Sequence, residues 1–203
     1  AIDDVTPNAM EESWDVVASA STPPGGVSGE NMFNYTSPTM SGVTLNVGYL
    51  NGTSAITDQS YTDYAIKVEP EMVEGLTLGY GFAESEVATG TVIDYNTMYA
   101  KYVYGSVTVG YQMNEADGPT SATDIESTQM GVSYAISDDM SVSYNTSDID
   151  QASTANDQEA SAIAASYTSG GITVKGTMHN ADNVAYSAND DMSAYEFNIS
   201  FAF

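Results

Sequence analysis

The side chains that could do chemistry near the start of this sequence are carboxylates. Within residues 1–30 they are Asp3, Asp4, Glu11, Glu12, Asp15 and Glu30. A group of acids that lines a narrow passage attracts cations and repels anions. Acids in a loop are also common on solvated surfaces, where they do no selective work. Both interpretations are open from the residue types alone.

Basic residues are scarce, since three lysines and no arginine stand against 28 acidic residues, for a net charge of −25. Such a chain cannot neutralise a phosphate backbone, so nucleic-acid binding is excluded. Lys67, Lys101 and Lys175 each fall out of phase with their apolar neighbours, which places them on the polar side of alternating segments. Two interpretations of the three lysines are open. They could form a positive wall opposite the acids of 1–30, or they could pair with carboxylates such as Glu69. We prefer the pairing interpretation.

Catalytic and metal-binding patterns are missing from the sequence. It has no Cys and a single His, His179, so neither a thiolate site nor a His-based catalytic group is indicated. We therefore expect no enzyme and no resident cofactor. Weak Ca²⁺ candidates are Asp148, Asp150, Asp190 and Asp191, but no complete calcium-binding loop surrounds them. Ordinary turn chemistry explains these acids better, and Ca²⁺ at the acidic loops is a secondary hypothesis.

The elements that must position these residues are β-strands. From Asn31 onward apolar and polar residues alternate, which is the period of a strand with two different faces. One face of 195–203, for example, carries only Tyr195, Phe197, Ile199, Phe201 and Phe203. Eleven such segments are predicted, at 31–37, 43–51, 61–69, 76–85, 94–104, 106–115, 125–137, 140–147, 158–167, 172–180 and 194–203.

Short and long connections alternate between the predicted strands. Tight turns are predicted at 38–42, 70–75, 105, 137–139 and 168–171, where Pro, Gly and Asp accumulate. Longer loops are predicted at 52–60, 86–93, 116–124, 148–157 and 181–193. A meander with short turns at one end and long loops at the other is the plan of a membrane barrel.

Three details favour a transmembrane antiparallel up-and-down β-barrel over a soluble β-sandwich, solenoid or adhesin. The polar face is small and mostly neutral, aromatic residues cluster near strand ends, and the strands have the length that spans a bilayer when tilted. In a barrel the apolar face meets lipid. In a sandwich Val109, Phe197 and Phe201 would instead pack together between two sheets.

The last segment, from Tyr195 to Phe203, resembles the closing strand of Gram-negative outer-membrane proteins, with a terminal Phe and aromatics at alternate positions. The chain as a whole is similar to the general porin family. That resemblance implies a sixteen-stranded barrel, usually trimeric, whose loop after the fifth strand folds into the lumen. Residues 1–30 would be that constriction loop, and residues 31–203 would supply the remaining eleven strands.

The sequence departs from the general porin pattern in two places. The Pro-Glu-Phe-Gly-Gly motif of enteric porin loops is absent, because residues 6–15 read Thr-Pro-Asn-Ala-Met-Glu-Glu-Ser-Trp-Asp. The Arg cluster expected opposite the loop is also absent from this sequence. Because of these two differences, the resemblance does not predict an electric field between acids of the loop and arginines of the opposite wall.

We therefore expect a passive diffusion channel of the bacterial outer membrane that passes small hydrophilic solutes and prefers cations. The selecting residues would be the acids of 1–30 together with Lys67, Lys101 and Lys175. The expected partners are outer-membrane lipid, lipopolysaccharide and two further copies of the chain. The alternative is a structural or adhesive surface barrel whose long outer loops bind a partner.

Overall fold

The computed structural model describes residues 5–10, 13, 32–52, 60–88 and 91–202, with the side chains of Val87 and Ala88 left out. Within these residues the secondary structure is strands apart from one-turn 3₁₀ helices at Ser121–Thr123 and Val184–Tyr186. No helix in the described ranges has the length and apolar character needed to cross a membrane.

All eleven predicted strands are present. They are β1 (Met32–Thr36), β2 (Val43–Leu50), β3 (Ser60–Val68), β4 (Leu76–Ala88), β5 (Thr91–Tyr104), β6 (Val107–Asp117), β7 (Ile125–Ser137), β8 (Met140–Gln151), β9 (Gln158–Ser169), β10 (Ile172–Asp182) and β11 (Met192–Phe201).

The strands form one antiparallel sheet in which each strand pairs with its neighbours in sequence, from β1 to β11. This is the up-and-down order that alternating short and long connections predict, and it confirms the predicted fold class. Among the described residues β1 pairs only with β2, and β11 only with β10, so the sheet is not closed.

Tight turns hold one end of the sheet in register. Gly170 and Gly171 connect β9 to β10 with positive φ angles of 58° and 80°. A two-residue hairpin turn of this kind matches the right-handed twist of the strands, and it demands residues that tolerate positive φ. The turn therefore fixes Ser169 opposite Ile172, and with it the phase of both strands.

Two predicted loops were wrong in part: β8 continues to Gln151 where a loop was expected at 148–157, and the connection between β4 and β5 is shorter than expected. Residues 86–93 were expected to form a long loop, but β4 continues to Ala88 and β5 begins at Thr91, with a register shift between Glu86 and Ala88. Two consecutive apolar pairs, Val87–Ala88 and Val92–Ile93, interrupt the alternation, and Gly90 between them suggested a loop. Backbone pairing does not depend on that alternation, so a hairpin can continue where the alternation is interrupted.

The pattern of burial is the reverse of that in a water-soluble sheet, because polar side chains are buried and large apolar side chains are exposed. The largest fully buried side chains include His179, Gln112, Gln129, Gln158 and Asn145. In contrast, Phe197 is 70% exposed, Phe201 57% and Val109 43%. These three residues do not pack between stacked sheets, so the sandwich alternative is wrong for this part of the chain.

Candidate functional site

The buried face of the sheet, here called the inner wall, is lined by polar side chains. It is formed by alternate residues of each strand, such as Thr97, Gln112, Gln129, Asn145 and His179. The opposite face, here called the outer face, carries the exposed apolar and aromatic side chains. The odd–even alternation seen in the sequence thus becomes a separation between a polar wall and an apolar exterior.

A hydrogen-bond network centred on Asn114 ties three strands of the inner wall together. Asn114 Oδ1 accepts bonds from Thr97 Oγ1 at 2.9 Å and from Gln112 Nε2 at 3.0 Å. Its Nδ2 donates to Ser127 Oγ at 3.2 Å and to Gln129 Oε1 at 2.8 Å. Each polar atom of the buried amide therefore makes two bonds, which fixes the side chains of β5, β6 and β7 in one arrangement.

The described part of the N-terminal region, here called the inner segment (residues 5–10 and 13), lies against this wall. Val5 N donates to Gln112 Oε1 at 2.9 Å, and Ala9 N donates to Ser143 Oγ at 2.8 Å. Further along, Ser13 O lies 3.3 Å from His179 Nδ1. The segment therefore meets β6, then β8, then β10.

Pro7 occupies a slot made by two glycines that are direct cross-strand partners, Gly110 of β6 and Gly131 of β7. A Cβ atom at Gly110 would lie 2.6 Å from Pro7 Cδ, and one at Gly131 would lie 3.0 Å from the same atom. Real Cβ atoms essentially never come within 3.0 Å of another atom, so the slot at Gly110 requires glycine.

The two glycines belong to a register row that crosses the wall. The row runs Gly110–Gly131–Asn145–Ala162–His179–Ala194, each residue opposite the next. Four of its six members are Gly or Ala, and the row is here called the Gly/Ala track. Pro7 contacts the beginning of the track and Ser13 contacts His179 near its end.

The acids predicted to carry selectivity, Asp3, Asp4, Glu11, Glu12 and Asp15, lie outside the described residues. The three lysines are described, and their strand phase places each on the inner wall. Lys67 Nζ lies 3.2 Å from Glu69 Oε2, which is the pairing that the sequence suggested. Within the described residues neither Lys101 nor Lys175 has an ion-pair partner.

At the end of the sheet that carries the longer loops, carboxylates of the outer face lie directly opposite one another on neighbouring strands. This set of carboxylates is here called the acidic belt. Glu126 of β7 faces Glu115 of β6 on one side and Asp150 of β8 on the other. Further opposed pairs along this acidic belt are Glu84–Asp94, Asp94–Asp117, Asp148–Glu159 and Glu159–Asp182. Like charges in direct cross-strand pairs repel, so the belt opposes folding at low ionic strength.

The weak calcium candidates fall into this region without forming a compact site. Asp148 and Asp150 are outward residues of β8, whereas Asp190 and Asp191 lie in the loop before β11. Asp190 N donates to Ser187 O at 3.2 Å, which is turn chemistry. Across the described ranges no three His, Cys, Asp or Glu residues are grouped to hold a metal ion.

The belt also acts on the loop between β10 and β11. Burial raises the pKa of Tyr186 in that loop, and the Asp150 carboxylate raises it further, because a negative neighbour disfavours the phenolate. Tyr186, in the loop between β10 and β11, is therefore close enough to the acidic belt to feel its negative charge.

Replacing Glu126 by Gln is expected to stabilise the folded protein at low salt, because the change relieves two opposed pairs at about 0.2–1 kcal/mol each. The gain should shrink at about 1 M salt, where charges are screened within about 3 Å. Unfolding by urea at both salt concentrations measures the effect. Glu74→Gln, in the exposed turn before β4, is the matched control and should change stability less. If Glu126→Gln is less stable than the unmodified protein at low salt, the carboxylates of the acidic belt do not repel one another as we expect.

Several wall residues had no signal in the sequence that linked them to the inner segment. Gln112, Ser143 and the Gly110–Gly131 pair are ordinary polar-phase strand residues when read along the chain. Their partners are more than a hundred positions away in sequence, as between Val5 and Gln112, which are separated by 107. Only their juxtaposition in the sheet identifies them.

Comparisons with known proteins agree with this geometry. The model of the Gram-negative porin family matches residues 1–203. No curated protein matches the chain significantly. Among solved structures, OmpT of Vibrio cholerae, an outer-membrane protein, has a TM-score of 0.59 at 13% identity, with 92% of this chain and 72% of that chain covered.

A loop-deletion mutant of OmpT that lacks loop L8 also has a TM-score of 0.59, at 14% identity, with 83% of this chain covered. The match covers 60% of the length of that mutant. At these identities the likeness to OmpT concerns the fold. The family match over the whole chain, the up-and-down sheet and the apolar exterior together place it in the bacterial outer membrane. The chain belongs to the Gram-negative porin family.

Proposed function

We propose that this chain forms most of the wall of a water-filled diffusion channel that passes small hydrophilic solutes and prefers cations. The observation that carries the proposal is the inner wall, whose buried side chains are mainly amides, hydroxyls and small residues, with Tyr61, Asp63 and Ile149 as larger or charged exceptions. A wall that is mainly polar is wetted readily, so size and charge decide what passes.

The proposal assigns residues 1–30 to the constriction of that channel and residues 31–203 to its wall. Support comes from the inner segment, whose described contacts with Gln112, Ser143 and His179 hold it on the wall across three strands. Asp3, Asp4, Glu11, Glu12 and Asp15 border the described part of this segment in sequence. Together with the net charge of −25, they favour cations.

Among the described residues one edge of β1 and one edge of β11 have no strand partner, and lipid offers no hydrogen bonds to such edges. We propose that strands outside these 203 residues pair with both edges and close a barrel, five of them by the general porin resemblance. The proposal includes a trimer surrounded by lipopolysaccharide. Chemical cross-linking in outer membranes tests the trimer, and a single band at the monomer position would exclude it.

The proposal assigns no catalytic step and no resident cofactor. The one metal role included is loose bridging of the acidic belt to phosphates of lipopolysaccharide by divalent cations such as Ca²⁺. Chelation should then lower the unfolding temperature of the protein in native membranes. It should have much less effect in a neutral detergent, where no phosphates are present.

Ion selectivity is the direct test. Across a planar bilayer with a KCl gradient, the reversal potential should have the sign of a K⁺-selective pore, and the preference should weaken as salt screens the acids. Glu11→Gln combined with Glu12→Gln should reduce the K⁺ preference. Asp138→Asn combined with Asp139→Asn, in the exposed turn between β7 and β8, is the charge-matched control.

Two outcomes would contradict the proposal. An anion-selective reversal potential would remove the role of the acids in 1–30. A conductance near zero, with the protein correctly folded, would favour the adhesive surface barrel instead.

A further inference from the structure

The loop between β10 and β11, here called the inward loop (residues 183–191), lies over the inner wall at the end of the sheet that carries the longer loops. Its Val184 packs against the pair formed by Ala160 of β9 and Ala181 of β10, which are 5% and 2% exposed. Both alanines belong to the inner wall, so a loop that extended straight away from the sheet would leave them open to the lumen. The loop therefore turns inward over β9 and β10.

Gln158, at the beginning of β9, holds the inward loop through its side chain. Its Oε1 accepts a hydrogen bond of 2.8 Å from Ala185 N, and Gln158 is fully buried. A backbone N–H that lies outside the strand ladder needs another acceptor, and an amide oxygen of the inner wall supplies it here. The position of Ala185 over the wall therefore depends directly on this side chain.

The connection between β8 and β9 makes two further contacts with the inward loop. Asn183 Nδ2 donates to Asp157 O at 3.1 Å. Asn156 Nδ2 donates to Tyr186 O at 3.3 Å. These bonds join two loops that follow different strands, so they couple the positions of the two loops.

The inward loop is closed on itself and has an uncommon backbone conformation. Val184 N donates to Asp190 O at 2.8 Å, which brings the two ends of the turn together. Ala185 and Tyr186 have φ angles of 52° and 61°, in the left-handed region that residues with a Cβ rarely adopt. Such a backbone persists only where its surroundings determine it strongly, so the contacts with residues 156–158 keep the loop in this shape.

We propose that the inward loop is a second narrowing of the channel, at the entrance next to the long loops, and that Gln158 is its positioning residue. The inner segment lies further from this entrance, because its contact Ser143 pairs with Ala164, six positions along β9 from Gln158. The residues held over the wall, 184–186, carry no charge, so this narrowing restricts solutes by size. The inference rests on the proposed function, because a narrowing acts only on solutes that pass.

Polymer exclusion, measured from each side of a planar bilayer, tests the second narrowing. A neutral poly(ethylene glycol) lowers the conductance only if it is small enough to enter. In the unmodified protein the size limit should be smaller from the side of the long loops than from the side of the tight turns. Gln158→Ala should raise the limit on the loop side alone and leave the K⁺ preference unchanged. Gln151→Ala, the same change at the loop-side end of β8, is the matched control and should change neither limit.

Two substitutions at Ala185 test the same bond from the loop. Ala185→Pro removes the N–H that donates to Gln158, and a proline ring cannot adopt a φ of 52°. This variant should raise the loop-side size limit as Gln158→Ala does. Ala185→Gly keeps the N–H and tolerates positive φ, so it should behave as the unmodified protein does.

A cross-link separates a displaced loop from a failure to fold. The chain has no Cys, so Asn156→Cys and Tyr186→Cys introduce its only thiols. When both are added to Gln158→Ala, a short bifunctional thiol reagent should tie the two loops together. The loop-side size limit of the unmodified protein should then return. A protein that had failed to fold would not regain it.

The outcomes separate the second narrowing from the channel. If current flows but the size limit is the same from both sides, the channel stands and the narrowing is wrong. The narrowing is also wrong if Gln158→Ala leaves the loop-side limit unchanged, or if the cross-link does not restore it. Hydrogen exchange follows the loop without any current. If the amides of 183–191 lose protection in Gln158→Ala but no current flows in the unmodified protein, Gln158 holds the loop as proposed and the diffusion channel fails.

Discussion

Replacing Val109 by lysine is expected to destabilise the protein in a phospholipid bilayer by about 1 kcal/mol or more, because a lysine on the lipid face costs about 2–4 kcal/mol at the midplane and about 0–1 kcal/mol near the interfaces. Val109 is on the outer face, two residues in from the beginning of β6, and its cross-strand neighbours Tyr102 and Val132 are also exposed. Urea unfolding from phospholipid vesicles measures the loss of stability.

The matched control is the adjacent residue. Thr108 is on the inner wall of the same strand, opposite Ser133 of β7. Thr108→Lys adds the same side chain to the same strand but directs it towards the polar face, so we expect a change within about 0.5 kcal/mol. Equal losses in the two variants would mean that the faces of the sheet have been assigned wrongly.

Replacing Gly110 by alanine is expected to displace the inner segment and to increase the conductance of the channel. The new Cβ would come within 2.6 Å of Pro7 Cδ, and since the ring of Pro7 is rigid, either the segment or β6 must shift. We expect an increase of about twofold or more, because the inner segment belongs to the constriction in the function proposed above and its displacement would widen the passage. A change in Trp14 emission should accompany it.

A second substitution shows whether the clash itself is the cause. Pro7→Ala removes the Cδ atom that the new Cβ meets, so the double variant Gly110→Ala/Pro7→Ala should recover the original conductance. Gly176→Ala adds a Cβ to β10 that would lie 3.7 Å from Glu196 O, an ordinary van der Waals contact, and it should leave the conductance unchanged. If Gly110→Ala conducts normally, or if Pro7→Ala fails to restore it, the slot does not position the segment.

Much of the fold could be predicted from the sequence because a strand in a two-faced sheet repeats every second residue. The alternation of apolar and polar residues along β6 and β11 by itself assigns Val109 and Phe197 to the apolar face, and both are exposed in the structure. Turn residues such as Gly170 and Gly171 marked where the chain reverses. The same local signal failed at 86–93, where consecutive apolar residues and Gly90 interrupted the alternation while the backbone continued to pair as far as Ala88 and Thr91.

The residues that hold the inner segment could not be predicted in the same way. Gly110 and Gly131 look like ordinary small residues on the polar phase, and only their pairing across β6 and β7 creates a slot for Pro7. His179 looked like an isolated histidine of little chemical interest. In the structure it meets Ser13, which is 166 positions away in sequence, and Glu196 on the neighbouring strand.

The sequence by itself determined the strands, their order, their two faces and the strongly negative charge, since each follows from side-chain periodicity, turn chemistry or composition. Only the tertiary structure decided which wall residues meet the inner segment and which carboxylates oppose each other in the acidic belt. Those contacts depend on the register between strands and on the path of a segment far away in the chain. Neither the register nor the path of the segment can be recognised from residues that are neighbours in the sequence.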